Sequence, residues 1–148
     1  KPTVTVKDSN GQVISTQNYN IIYSSNKKVG NGTVKIVFKG NYSGTITKIF
    51  KIVPKKVSLT KVTNIKGKKV KLGWKKVSGI SGYEIQYGRN KSFKKAKTTT
   101  AKSSLKTKTI TKLTNKKKYY FRMRAYKKVS GKKVYGAYSS KKTIRIKN

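Results

Sequence analysis

The sequence predicts an all-β protein built as two tandem β-sandwich modules. Three observations lead there. Apolar residues alternate at period two along most of the chain, the pattern of strands with one buried face. Clusters of Gly, Asn, Asp and Ser punctuate these runs at short intervals. Apolar spacing typical of a helix is hard to find anywhere.

In the first module Val4 and Val6 alternate with Thr3, Thr5 and Lys7, and Asp8-Ser9-Asn10-Gly11 is a turn. Val34, Ile36 and Phe38 alternate with Lys35, Val37 and Lys39, followed by a turn at Gly40-Asn41-Tyr42-Ser43-Gly44. A strand is expected from Ile46 to Val53. It stops at Pro54, which has no N–H to offer a sheet. Pro54-Lys55-Lys56 is the expected boundary between modules at 1–54 and 55–148.

The second module repeats the pattern. Val57 to Val62 is a first strand. Val70, Leu72 and Trp74 point one way, while Lys69, Lys71 and Lys75 point the other. After a turn at 78–82, Tyr83, Ile85 and Tyr87 face in, with Glu84 and Gln86 facing out. Leu105 to Ile110 forms a strand. Tyr119, Phe121, Met123 and Ala125 make an inward row backed by Tyr120, Arg122, Arg124 and Tyr126. Ser130-Gly131-Lys132 is a hairpin, and Ile144 and Ile146 close the module. About seven strands in roughly 90 residues suit an antiparallel sandwich. Trp74, Tyr83, Leu113 and Tyr119 are its expected structural core.

Composition limits the chemistry. The 148 residues hold 39 Lys and Arg against two acids, Asp8 and Glu84, with no His and no Cys, for a net charge of +37. Ser–His and Cys–His nucleophiles are excluded, as are zinc sites built from Cys and His. A carboxylate-rich calcium cage has no ligands to draw on. No catalytic residue, metal or cofactor is assigned, and a non-enzymatic binding or structural protein is expected. No run of 18 apolar residues is present to span a membrane. A chain that opens on Lys1-Pro2-Thr3 is expected to be a fragment of a longer protein. Nothing in the sequence asks for more than a monomer.

Some of these residues carry a resemblance. Trp74, the Tyr83-Glu84-Ile85-Gln86-Tyr87 strand, Leu113 six positions before Tyr119, and the row Tyr119-x-Phe121-x-Met123-x-Ala125 look like a fibronectin type III domain over about 57–148. Gly136-Ala137-Tyr138-Ser139 is similar to the Gly-x-x-Ser lead-in to that family's last strand. The family's usual corner proline is missing, and Asn115 and Lys116 stand there. Residues 1–54 resemble, more loosely, a bacterial surface immunoglobulin-like repeat lacking its first strand. The carriers include Val4-Thr5-Val6, Asp8-x-x-Gly11, Asn18-Tyr19-Asn20, Gly30-x-Gly32-Thr33-Val34 and Gly40 to Gly44. Such a pairing resembles secreted or cell-wall-associated proteins of Gram-positive gut bacteria. The resemblance implies an extracellular, bacterial-surface location and a spacer or adhesive role; it names no ligand.

The charge has two readings. Lysines can simply solvate the outer sheet faces and guard the edges against pairing. They can also attract an anionic polymer: wall teichoic acid, an acidic glycan or host mucin. Nucleic acid fits less well, because lysine is a point charge and base readout favours the arginine fork. Non-specific binding to it in vitro is expected all the same. The resemblance implies that the third, sixth and seventh strands share a sheet, which would bring Glu84, Gln86, Tyr120, Arg122, Arg124, Tyr126 and Arg145 together on its outer face. Glu84 then pairs across the strands with Arg122 or Arg124. Tyr135 and Tyr138 can extend the face. The group is either a ladder that stabilises the sheet or an aromatic and basic binding platform. The rival functions are an accessory carbohydrate-binding module of a polysaccharide-degrading enzyme and a host-protein-binding adhesin.

Overall fold

The computed structural model describes residues 1–147. It divides into two compact units, Lys1–Ile52 and Val53–Asn148. Regular structure in both is almost entirely β, and the all-β expectation holds; among the described residues, helix is limited to one 3₁₀ turn at Thr16–Asn18.

The first unit is built on an antiparallel sheet of β1 (Tyr19–Ser24), β2 (Gly30–Phe38) and β3 (Thr45–Ile52), with β2 in the centre. Alternation along β2 turns Val34 and Ile36 to the buried face, where Val6, Ile14 and Tyr19 pack, with Val4 and Phe38 beside them. The run around Val4 and Val6 is thus apolar for the expected reason, but it is not a strand. Its ladder contact is a single bridge, Lys7 to Val13. The Asp8 turn tightens that bridge: the Asp8 carboxylate accepts from the backbone N–H of Asn10 and Gln12, both at 2.9 Å. β1 was missed in the sequence, although Tyr19, Ile21 and Tyr23 alternate.

The second unit has two facing sheets. One contains β4 (Leu59–Ile65), β5 (Lys69–Trp74) and β8 (Thr107–Ile110), in the order β4-β5-β8. The other contains β6 (Gly82–Gly88), β7 (Lys97–Lys102), β9 (Lys118–Val129), β10 (Lys132–Tyr135) and β11 (Lys142–Arg145). Its order is β10-β9-β6-β7, and β11 pairs with the opposite end of β9. The last strand is therefore broken in two. Residues 136–141 still follow β9, since Gly136 N donates to Ala125 O and Ser139 N to Met123 O. The Ser139 hydroxyl secures the crossing: it accepts from Met123 N and donates to Ser140 O.

Several boundaries differ from the sequence reading. The first strand starts at Leu59 and continues to Ile65, with a bulge between Leu59 and Lys61. Val57 is buried but precedes it. β8 starts at Thr107, because Leu105 lies in an exposed turn. β7 was not foreseen. Its Lys-Thr-Thr-Thr-Ala-Lys sequence offers only Ala101 to the core.

Between the sheets lie Val70, Leu72, Trp74, Tyr83, Ile85, Phe121, Met123 and Ile146, all essentially excluded from solvent. Trp74 meets Tyr83 edge-on at 5.3 Å. The Tyr83 hydroxyl accepts from Val77 N. Tyr119 closes one end: its hydroxyl accepts from Thr114 N and donates to Thr114 Oγ1, both at 3.2 Å, above buried Leu113. Where the family it resembles usually has a corner proline, the Asn115 side chain accepts from Lys116 N, and Lys116 sits at φ 57°. Asn64 joins an edge of each sheet, donating to Arg145 O and accepting from Lys147 N. The β9–β10 hairpin has positive φ at both Ser130 and Gly131, the geometry that matches strand twist.

The core rows should dominate stability. Leu72→Ala removes a side chain with no solvent exposure and should cost about 2–5 kcal/mol. Urea unfolding followed through Trp74, the chain's single tryptophan, measures this in the second unit.

Candidate functional site

The outer face of the β6–β9–β10 sheet brings together a carboxylate, guanidiniums and aromatic rings. Antiparallel register places Glu84 opposite Arg124 and Gln86 opposite Arg122. Directly paired residues point to the same face, so each arginine meets its acceptor without leaving the sheet. Arg124 is the partner of Glu84: its Nε and Nη2 both lie 2.8 Å from Glu84 Oε1. Arg122 Nε donates to Gln86 Oε1 at 2.9 Å.

Aromatic rings then fill the space beside the guanidinium planes. Arg122 lies 4.2 Å from the Phe93 ring centre and 4.0 Å from that of Tyr138. Arg124 lies 4.4 Å from Tyr138 and 3.7 Å from Tyr135. Tyr135 packs on Tyr126 with ring centres 6.0 Å apart, and Lys133 Nζ stands 4.7 Å over Tyr126. The groups thus form one row: Phe93, Arg122, Tyr138, Arg124, Tyr135, Tyr126, Lys133. Each such cation–ring contact contributes about 0.5–2 kcal/mol, depending on desolvation.

The row buries what it covers. Glu84 points outward from the sandwich, as its alternation predicts, yet it is only 8% exposed. Tyr138 donates a hydrogen bond to the same Glu84 oxygen at 3.1 Å. Burial pushes the Tyr138 phenol above its ordinary range; the Arg124 charge opposes this, and the bond to Glu84 adds to it. Gly82 is required beneath Tyr126, because a Cβ there would come within 2.7 Å of the tyrosine oxygen and 2.8 Å of Ala101 O. Phe93 holds φ 61°, an unfavourable conformation for a bulky residue. Its own N–H to Asn90 O and its carbonyl to Ala96 N fix it there.

Of the candidate residues named from sequence, Arg122, Arg124, Tyr126, Tyr135 and Tyr138 come together in this row. Tyr120 shares the face but lies outside the row, with Lys118 Nζ 5.6 Å over its ring. Arg145 does not join. It pairs in register with Lys118 at the far end of β9, and its guanidinium donates to Lys116 O. Trp74, Tyr83, Leu113 and Tyr119 are core residues, as expected. Phe93 was missed, since it stands alone in a lysine-rich turn with no alternation around it. Gln86 was placed on this face, but its pairing with Arg122 was not foreseen.

The profile of the fibronectin type III domain matches residues 55–139. The chain belongs to the fibronectin type III domain family. The chicken CNTN1 FN1–FN3 domains are similar in structure, with a TM-score of 0.59 and 16% sequence identity over 84% of this chain. The chain spans 45% of that structure's length. A β-sandwich protein from a computer-based redesign is also similar, with a TM-score of 0.52 and 22% identity over 63% of this chain and 95% of its own. At these identities the likeness extends to the fold. The sequence has no match among curated proteins. In this fibronectin type III domain the carboxylate and guanidinium row lies on the outer side of the sheet whose inner side supplies Tyr83, Ile85, Phe121 and Met123 to the core.

Glu84 is the only carboxylate against the row, so its charge should contribute to stability. Glu84→Gln keeps the shape but leaves Arg124 facing a neutral amide in a half-buried place. We expect a loss of about 1–3 kcal/mol. Thermal unfolding of the variant measures it, and Thr109→Ala, exposed on β8 of the other sheet, serves as a control expected to change little.

Proposed function

We propose that the protein is a non-enzymatic spacer or adhesive module of a secreted or wall-associated bacterial protein, held to anionic polymers by its lysine-rich surface. In this reading residues 1–54 are a partial immunoglobulin-like surface repeat and residues 55–148 the fibronectin type III module. The polymer is a wall teichoic acid, an acidic glycan or mucin, and the setting is a Gram-positive cell surface.

One observation carries the proposal: the chain has no acid left to balance its cations. Of two carboxylates against 39 basic residues, Asp8 is engaged in its own turn and Glu84 lies under the aromatic row. A surface with net charge +37 repels itself, and a polyanion relieves that repulsion while binding. The tyrosines fit a neutral-glycan platform less well. Arg122 and Arg124 occupy Tyr138, while Arg124 and Tyr126 contact Tyr135. A stacking sugar needs a free ring face. No helix among the described residues is long and apolar enough to cross a membrane.

Binding of the purified chain to immobilised poly(glycerol phosphate) and to an uncharged glucan separates the readings. Retention on the phosphate polymer should fall steadily from about 50 mM salt and vanish by about 0.5 M, where exposed charges are screened within a few Å. The glucan should retain nothing at any salt concentration. Equal retention on both polymers, or retention on either that survives about 0.5 M salt, would contradict the proposal.

A further inference from the structure

The row of rings and guanidiniums ends at a cleft of about 360 Å³ beside Phe93. Its lining brings Lys91 and Ser92 from the β6–β7 turn together with Arg122 from β9 and Ser140 and Lys141 from the broken last strand. It contains three cations and no carboxylate. That imbalance alone is ordinary on this surface. Arg122 makes the cleft different.

Arg122 is held in place before any ligand arrives. Phe93 and Tyr138 flank its guanidinium at 4.2 and 4.0 Å, and Gln86 takes its Nε. Among the described residues its two terminal nitrogens have no hydrogen-bond partner, so the remaining donors are left for the cleft. The neighbouring hydroxyls sort themselves. The Ser139 hydroxyl is committed to Ser140 O and Met123 N, and that of Ser92 to Asn90 Oδ1. Ser140 is exposed, and its hydroxyl has no partner among the described residues. Lys91 and Lys141 are also exposed. The strained φ of Phe93 keeps one wall of the cleft against Arg122, so strain, a fixed guanidinium and free donors coincide here.

We infer that this cleft binds one tetrahedral oxyanion, a phosphodiester or a sulfate ester, with Arg122 as the oriented fork, Ser140 as a neutral donor, and Lys91 and Lys141 as flanking charges. The chemistry follows from the donor set. A guanidinium edge presents two parallel N–H groups to two oxygens, and a tetrahedral anion has further oxygens for a hydroxyl and ammonium groups. The inference rests on the proposed attraction to anionic polymers and gives that attraction one defined place. A phosphodiester is the unit of a wall polymer and a sulfate ester that of a host glycan, and one cleft can hold either.

The test is a titration of the whole chain, followed by two-dimensional NMR, with dimethyl phosphate and separately with methyl sulfate. The two probes carry the same single charge, and sodium chloride at matched ionic strength is the reference. Saturable shifts confined to Arg122, Ser140 and their neighbours are expected, and the tighter probe identifies the source. Ser140→Ala with Lys141→Ala should weaken that binding at least fivefold without altering the core resonances. Arg122→Lys should abolish it, because the fork is lost while the charge stays. Should Arg122→Lys disturb the fold, the serine–lysine double variant decides alone. Diffuse, unsaturable shifts over many lysines would overturn the inference, as would saturable binding that the double variant leaves unchanged. The two proposals fail separately. Salt-sensitive polymer binding with diffuse probe shifts rejects the cleft and leaves the surface attraction standing. Saturable probe binding without any polymer retention rejects the surface attraction.

Discussion

A chain with 39 basic side chains and two acids cannot neutralise its cations by ion pairing, and every outward-facing element has to accommodate that constraint. On most of the surface the solution is distance and water: lysines stand on exposed positions of strands and turns, where solvent screens them. On the β6–β9–β10 face Arg122 and Arg124 are half-buried, so water alone does not surround them. There the structure uses rings instead of acids. Phe93, Tyr138 and Tyr135 sit beside the guanidiniums, and the single carboxylate of Glu84 is placed where register brings Arg124 to it.

The same constraint connects fold to function. Charge of one sign opposes compaction, so the sandwich depends on its inner rows, from Val70 and Leu72 to Phe121 and Met123, to stay folded. What the surface then offers to its surroundings is a strong positive field with no internal counterweight. The ladder face adds geometry to that field. Its arginines are fixed by stacking, and at the Phe93 end Arg122 still has donors to spare. The proposed diffuse attraction and the proposed oriented recognition would draw on one arrangement, and they differ in what they require: the first needs only charge, the second needs Arg122 to hold its plane.

How much of this was legible depended on whether a residue's role lay in a period or in a tertiary meeting. The inward rows of β5, β6 and β9 were readable because each second residue is large and apolar. The Glu84–Arg124 pair was narrowed to two partners, since any two outward residues on adjacent strands can meet, but choosing between Arg122 and Arg124 needed the register. β7 was hidden because Thr98, Thr99 and Thr100 carry β-branched propensity without an apolar rhythm. The segment around Val4 and Val6 misled in the other direction: its alternation serves packing against the β1–β3 sheet, while its backbone pairs only at the Lys7–Val13 bridge. Phe93 could not be found from its neighbours, and Arg145 was assigned to the ladder because parity gives the face of a residue but not its position along the strand.

The premise beneath all of this is that like-charge repulsion outweighs attraction across the folded surface. Thermal unfolding of the intact chain in sodium chloride from about 20 mM to about 0.5 M, followed by Trp74 fluorescence, measures that balance directly. The midpoint should rise as salt screens the repulsion among 39 cations. A midpoint that falls with salt would mean that attractive pairs hold the surface together, and would contradict that premise.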